Sequence, residues 1–312
     1  MAKGAKQTAA LAQLRALADR PVEQVQYALD LLAVERSVRV VPEALDVVAV
    51  AEVPAARPVL LDLYEYYDAD GVKRDPGCQI RSRILQALLP ISVAPDAALA
   101  ERALTTYEFL PPTRAESAGG LRAAGLALLA EWDPGPATYH AVRLLTDPHT
   151  ARMSGEPAVT AARLLGGQGE LLPLYGYVLD LAHAISEVWA ECLRHLAGTP
   201  AAVLTDLLAR YGASDDEFVL IGVLDLLLAH EARASQRAFL ADFLRTTRRY
   251  AVYRYLATSI VARRAPEEQA LLLEVAAEER DPRKIELLLE ALALAPPDPA
   301  VTRAIAGLER RR

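Results

Sequence analysis

The amino-acid sequence predicts an all-α protein, and three observations carry that expectation. The chain is 53% hydrophobic but only 6% aromatic, and much of the apolar share is Ala and Leu, which combine high helix propensity with small or flexible side chains. Apolar residues recur three and four apart, as on one face of a helix, and no run alternates apolar and polar as a half-buried strand does. Short breakers punctuate the sequence from end to end, leaving segments of about 12 to 18 residues between them.

Taken in order, the segments 5–19 and 22–35 read as two opening helices, separated at Asp19-Arg20-Pro21 and expected to cap one end over about residues 1–36. Further breaks follow at Asp75-Pro76-Gly77, Ala94-Pro95-Asp96, Pro111-Pro112, Asp133-Pro134 and Asp147-Pro148. They continue at Gly166-Gly167, Gly198-Thr199-Pro200, Gly212-Ala213-Ser214-Asp215, Ala265-Pro266, Asp281-Pro282 and Pro296-Pro297. Asp followed by Pro opens a helix well, because the carboxylate accepts free N–H groups and Pro has none to satisfy. About eighteen helices account for nearly the whole chain, and residues 296–312 are expected to form a C-terminal capping helix that frays over 307–312. No linker marks a second domain, so residues 1–312 read as one body.

Ala/Leu-rich turns recur at 81–91, 121–131, 156–167, 185–197, 217–229, 253–264 and 283–295. Their last residues are spaced by 40, 36, 30, 32, 35 and 31 positions, the irregular period of a two-helix unit with variable loops. The run from Asp75-Pro76-Gly77 through Arg81 to Ala87-Leu88 resembles the HEAT-repeat family, including its short bacterial forms. The resemblance covers about residues 75–295. The Arg position recurs near Arg81, Arg122 and Arg254 but is replaced by Glu156 or Glu187 elsewhere. It implies an α-α superhelix of antiparallel helix pairs, stacked because one pair cannot bury its apolar face alone. It implies little about function.

The formal net charge is −7, which argues against a protein that coats nucleic acid. Asn is absent and Lys occurs only at Lys3, Lys6, Lys73 and Lys284, a composition expected of either a GC-rich genome or a warm habitat. Cys78 and Cys192 form no C-x-x-C pair, so a reducing cytoplasm is the expected location. The N-terminal segment lacks the unbroken apolar core of a signal peptide, and no stretch is apolar enough to insert in a membrane.

Chemistry-bearing patterns are few. His140, His149, His183, His195 and His230 form no metal-ligand spacing and read as surface or loop-edge residues. Gly166-Gly167-Gln168-Gly169 follows a helix and reads as its C-cap, not as a phosphate loop. No catalytic residue, metal or cofactor is assigned. Cys78 has nearby cations that favour a thiolate, but lacks a neighbouring His or resolving Cys. Trp132 and Trp189 are expected in the core. The Tyr64-Glu65-Tyr66-Tyr67 stretch reads as an aromatic surface with one or two rings buried.

The most unusual segment is 243–264, with six Arg, three Tyr and no acid. As a site it would bind anions through Arg245, Arg248, Arg249, Tyr250, Tyr253 and Arg254. Alternatively, the cations tie repeats together by pairing with acids such as Asp242, Glu278 or Asp281, and the acidity of the chain favours this reading. The expected function is a non-enzymatic scaffold that binds a protein partner, with an acidic partner segment fitting the basic patch. Two other functions known on HEAT-like folds remain open: a DNA glycosylase using the Arg/Tyr segment, and a bilin lyase.

Overall fold

A computed structural model describes residues 2–112, 114–180, 185–296 and 298–312. Among these described residues it is 76% helical, with 19 α-helices. The breakers act as the sequence implies. Pro opens α2 (Pro21–Val34), α9 (Pro134–Leu145), α17 (Pro266–Glu278), α18 (Pro282–Leu292) and α19 (Pro299–Glu309). Asp216, Asp281 and Asp298 cap α14 (Glu217–Ala229), α18 and α19 by accepting first-turn N–H groups. Helices alone do not fill the chain, however. Phe109–Leu110 and Ala115–Glu116 pair as a two-residue antiparallel ladder around Pro111-Pro112, where two missing amide donors interrupt helical structure.

The helices group into two compact units, Met1–Leu165 and Gly166–Arg312, where the sequence reads as one body. The boundary falls inside α10 (Ala158–Gln168), so no linker composition betrays it. Gly166 and Gly167 continue that helix instead of capping it, and Gly169, at φ 78, follows its end.

In the first unit, α2 packs on α3 (Val41–Ala51) and α4 (Arg57–Asp68). Both of these pack on α6 (Gln79–Leu88), and α6 packs on α8 (Gly119–Trp132), which also meets α7 (Ala97–Leu104) and α9. At Gly125 a Cβ would come within 2.9 Å of the Ala103 Cβ, so glycine lets α7 and α8 approach closely.

Two buried cations organise this core. Arg81 pairs with Asp75, Asp68 and Glu108, and Asp75 also accepts the backbone N–H groups of Ile80 and Arg81 at 2.9 Å. Arg122 forks onto both Glu116 oxygens at 2.9 Å and donates to the Thr106 carbonyl at 2.9 Å. Its Nε lies 3.2 Å from Asp147 without a well-aimed hydrogen bond, and its guanidinium stacks on Tyr107. Each arginine thus takes a carboxylate six residues earlier and another from a later segment. Tyr64 and Tyr67 are fully buried, while the half-buried Tyr66 lies between Arg36 and Arg74.

In the second unit, α12 (Ser186–Arg194), α14, α16 (Tyr250–Arg263) and α18 pack successively. Alongside, α15 (Arg237–Thr246) packs on α17 and α17 on α19. Gly222 of α14 stands where a Cβ would meet Ala190 Cα at 2.6 Å, so this is the tightest kind of helix crossing and it requires glycine. Lys284 is buried and donates to the carbonyls of Leu244 and Arg245, capping the C-terminal end of α15. Arg311 does the same for α17 through the carbonyls of Ala276 and Ala277.

Candidate functional site

The basic segment folds as the end of α15, a short connection and α16, and this placement disperses its cations. Arg245 faces Glu278 at 3.4 Å and Arg254 faces Glu290 at 3.2 Å, both as exposed pairs. Arg249 precedes α16 and donates to the Asp215 carbonyl at 2.9 Å and to its carboxylate at 2.5 Å. Tyr250 donates to Asp281 at 2.9 Å, which raises its phenol pKa. Tyr253 is fully buried beside Lys284, and burial pushes its pKa up. Arg248, like Arg263 and Arg264 of the same segment, is exposed, and its side chain makes no hydrogen bond or ion pair among the described residues.

Arg248 and Arg249 line one end of a cleft of about 820 Å³ between α13 (Ala201–Tyr211) and α15. One wall is Gln236, just before α15, with Phe239, Phe243 and Thr246 of α15, at the three–four–three spacing of one helix face. Thr205, Leu208, Ala209 and Gly212 form the facing wall, and the buried Leu220 of α14 also lines the cleft. Phe239 and Phe243 stack with ring centroids 6.4 Å apart. The walls are tied by Gln236 donating to Thr205 at 3.1 Å and by the Arg249–Asp215 pair. A Cβ at Gly212 would meet the Phe239 ring at 2.6 Å, so glycine seats that ring.

The connection before α15 is long. A 3-10 turn, Glu231–Gln236, lengthens the passage from α14, whereas α16 reaches α17 through Arg264 and Ala265 alone. His230 opens that turn at a loop edge and is fully buried there. It accepts the Ala232 N–H on Nδ1 and donates from Nε2 to the Thr199 carbonyl, which sets its tautomer.

A second polar group, invisible to the motif search, crosses α12, α14 and α16. Asp225 is buried and accepts from Arg194 at 3.0 Å and from the Tyr255 hydroxyl at 2.7 Å. Arg194 also donates to the buried Glu191 at 2.9 Å, with His195 at 3.2 Å from the same carboxylate. The sequence signal was a lone Asp within the Leu-rich α14. These groups satisfy one another, which is the arrangement of a structural tie.

Other candidates resolve differently. Cys78 is buried, and the thiol pKa is raised by desolvation and Glu108 despite the nearby Arg81, so the cations do not create a reactive thiolate. Burial likewise raises the pKa of Cys192. Trp132 is 41% exposed at the end of α8, not in the core, and its indole N–H donates to Ser92 at 2.8 Å. Trp189 is half-buried against Tyr211. His183 lies outside the described residues. Among the described residues, no group of three or more His, Cys, Asp or Glu could hold a metal ion. No helix among them is long and apolar enough to cross a membrane.

No protein-family model matches the chain, and neither a curated protein nor a solved structure does.

Proposed function

We propose that the chain is a non-enzymatic scaffold built of HEAT-type helix pairs, which binds a protein partner in the cytoplasm. The observation that carries this reading is the α13–α15 cleft, lined by the half-buried Phe239, the buried Phe243 and the unpaired Arg248. Aromatic and Arg side chains in a concave, partly desolvated setting are the usual anchors of protein recognition. The successive packing of α12, α14, α16 and α18 supports the helix-pair reading, as does the shared acid-then-Arg arrangement at Arg81 and Arg122. The pairing of Arg245, Arg249 and Arg254 with carboxylates disfavours a nucleic-acid groove, which needs many free cations.

Affinity capture of the full chain from extract of its native cell, with chemical crosslinking and mass spectrometry, tests the proposal. A stoichiometric protein partner with crosslinks to the chain is expected. Excision of a damaged base from duplex DNA, or transfer of a bilin to an acceptor protein, would instead establish one of the two enzymatic readings.

A further inference from the structure

Sulfur chemistry at the surface of this chain falls to one side chain among the described residues. The sequence holds two Cys and two Met. Cys78 and Cys192 are each 0% exposed, and burial raises both thiol pKa values, so neither presents the thiolate that oxidants attack. Met153 is the opposite case: at 96% exposed, it is the most exposed large apolar side chain among the described residues. Met1 lies outside them.

The turn that carries Met153 holds it outward. Ala151 donates its N–H to the Glu156 carbonyl at 2.9 Å, and Gly155 donates to the Ala151 carbonyl at 2.7 Å, which closes residues 151–156 as a tight loop. Gly155 takes φ 68, a left-handed value that suits glycine. The base of the loop is seated on α8, because a Cβ at Gly119 would come within 2.9 Å of the Glu156 carbonyl oxygen. Ala151, Arg152, Met153 and Ser154 are all exposed at the tip. A buried Met fills gaps between its neighbours, whereas this one has almost no packing to lose.

We infer that Met153 is a reversible oxidation site, taken to the sulfoxide by hydrogen peroxide and returned by a thiol-dependent sulfoxide reductase. In the forward step an S–O bond forms as the peroxide O–O bond breaks. Sulfur is oxidised by two electrons, and the second peroxide oxygen leaves as water. In the return step two thiols become a disulfide, and the sulfoxide oxygen leaves as water. The reductase must reach the whole side chain, and a protruding tip presents it. Sulfoxide formation inside a core disrupts packing. At Met153 it turns an exposed apolar group into a polar one and leaves the helices untouched, so only another molecule can sense the change. The inference goes beyond the scaffold reading and does not rest on it.

Treatment of the native full chain with hydrogen peroxide, followed by peptide mapping with mass spectrometry, tests this. One added oxygen is expected on the peptide that carries Met153, with Met1 read separately. Its rate should lie within about twofold of the rate in the urea-denatured chain, while Cys78 and Cys192 stay reduced. Met153→Leu should lose that oxygen. The melting temperatures of the oxidised protein and of Met153→Leu should both match that of the untreated chain. Methionine sulfoxide reductases for the two sulfoxide epimers, supplied with dithiothreitol, should together remove the oxygen from the folded protein. Oxidation of either thiol ahead of Met153 overturns the inference, as does a Met153 rate many times slower in the native chain than in urea. A lowered melting temperature after oxidation, or a sulfoxide that the reductases remove only after unfolding, overturns it as well. Crosslinking to a cellular partner decides the scaffold reading separately, so the failure of one leaves the other standing.

Discussion

Arg122→Met tests whether the buried acid–arginine fork supports the amino-terminal unit. The guanidinium is fully buried, and its partners Glu116 and Asp147 have side-chain exposures of 4% and 1%. Met fills a similar volume, so the change removes charge and hydrogen bonds with little cavity. It strands two buried carboxylates and frees the Thr106 carbonyl. Breaking a buried pair from one side costs about 3–5 kcal/mol. A domain's whole stability is about 5–15 kcal/mol. With a urea dependence of about 1–3 kcal/mol per molar, the midpoint should fall by about 1 M or more. Equilibrium urea unfolding followed by circular dichroism measures this, and hydrogen exchange locates it. The loss of protection should centre on α8 and the segments carrying Thr106 and Asp147. Adding Glu116→Gln to Arg122→Met should recover part of the loss, because one stranded charge disappears. A loss below about 1 kcal/mol, the range of exposed pairs, would refute the reasoning.

Both cysteines should resist a thiol reagent in the native protein, since burial raises both thiol pKa values, and two equivalents should react after denaturation. Rapid labelling of Cys78 in the folded chain would contradict its burial. Tyr67 and Tyr177 have phenol pKa values pushed up to about 12, with desolvation the largest cause in each. Their folded values exceed the unfolded value of about 10, so the stabilisation is complete below that pH and is lost as pH rises through about 12. Absorbance at about 295 nm should therefore show the exposed tyrosines ionising first, and the buried ones only with unfolding. Reversing Arg249 and Arg254 to Glu breaks two surface pairs, Asp215–Arg249 and Glu290–Arg254, and should cost no more than about 2 kcal/mol in total. Calorimetry showing a much larger loss would mean that these pairs tie the helices together.

The helical class was legible because its signals are local. Pro21, Pro134, Pro266, Pro282 and Pro299 open helices wherever they stand, and Asp216, Asp281 and Asp298 cap them through their own first turns. Arg81 and Arg122 could be picked out as recurring positions, but their partners could not. Glu108 lies 27 residues after Arg81 and Asp147 lies 25 after Arg122, distances that only the packed chain converts into contact. The unit boundary was hidden for the opposite reason: it lies within the continuous helix α10, where composition does not change.

The candidate site shows the same division between local and long-range information. The count of arginines from 243 to 264 marked the right region but not the residue that matters, because the pairing carboxylates come from Asp215, Glu278 and Glu290 on other elements. Once those three are assigned, Arg248, Arg263 and Arg264 are left unpaired, and of these only Arg248 lines the cleft. Phe239 sits four residues before the segment and was passed over, although its spacing from Gln236, Phe243 and Thr246 already put it on one helix face. On that face Phe239 is half-buried and Phe243 buried, and the Glu231–Gln236 turn that precedes it reads in sequence as a connection only. Of the patch's unpaired arginines, Arg248 is the one that lines the α13–α15 cleft. A charge count could not distinguish that arrangement from a diffuse cationic surface, whereas a single reversal at Arg248 can.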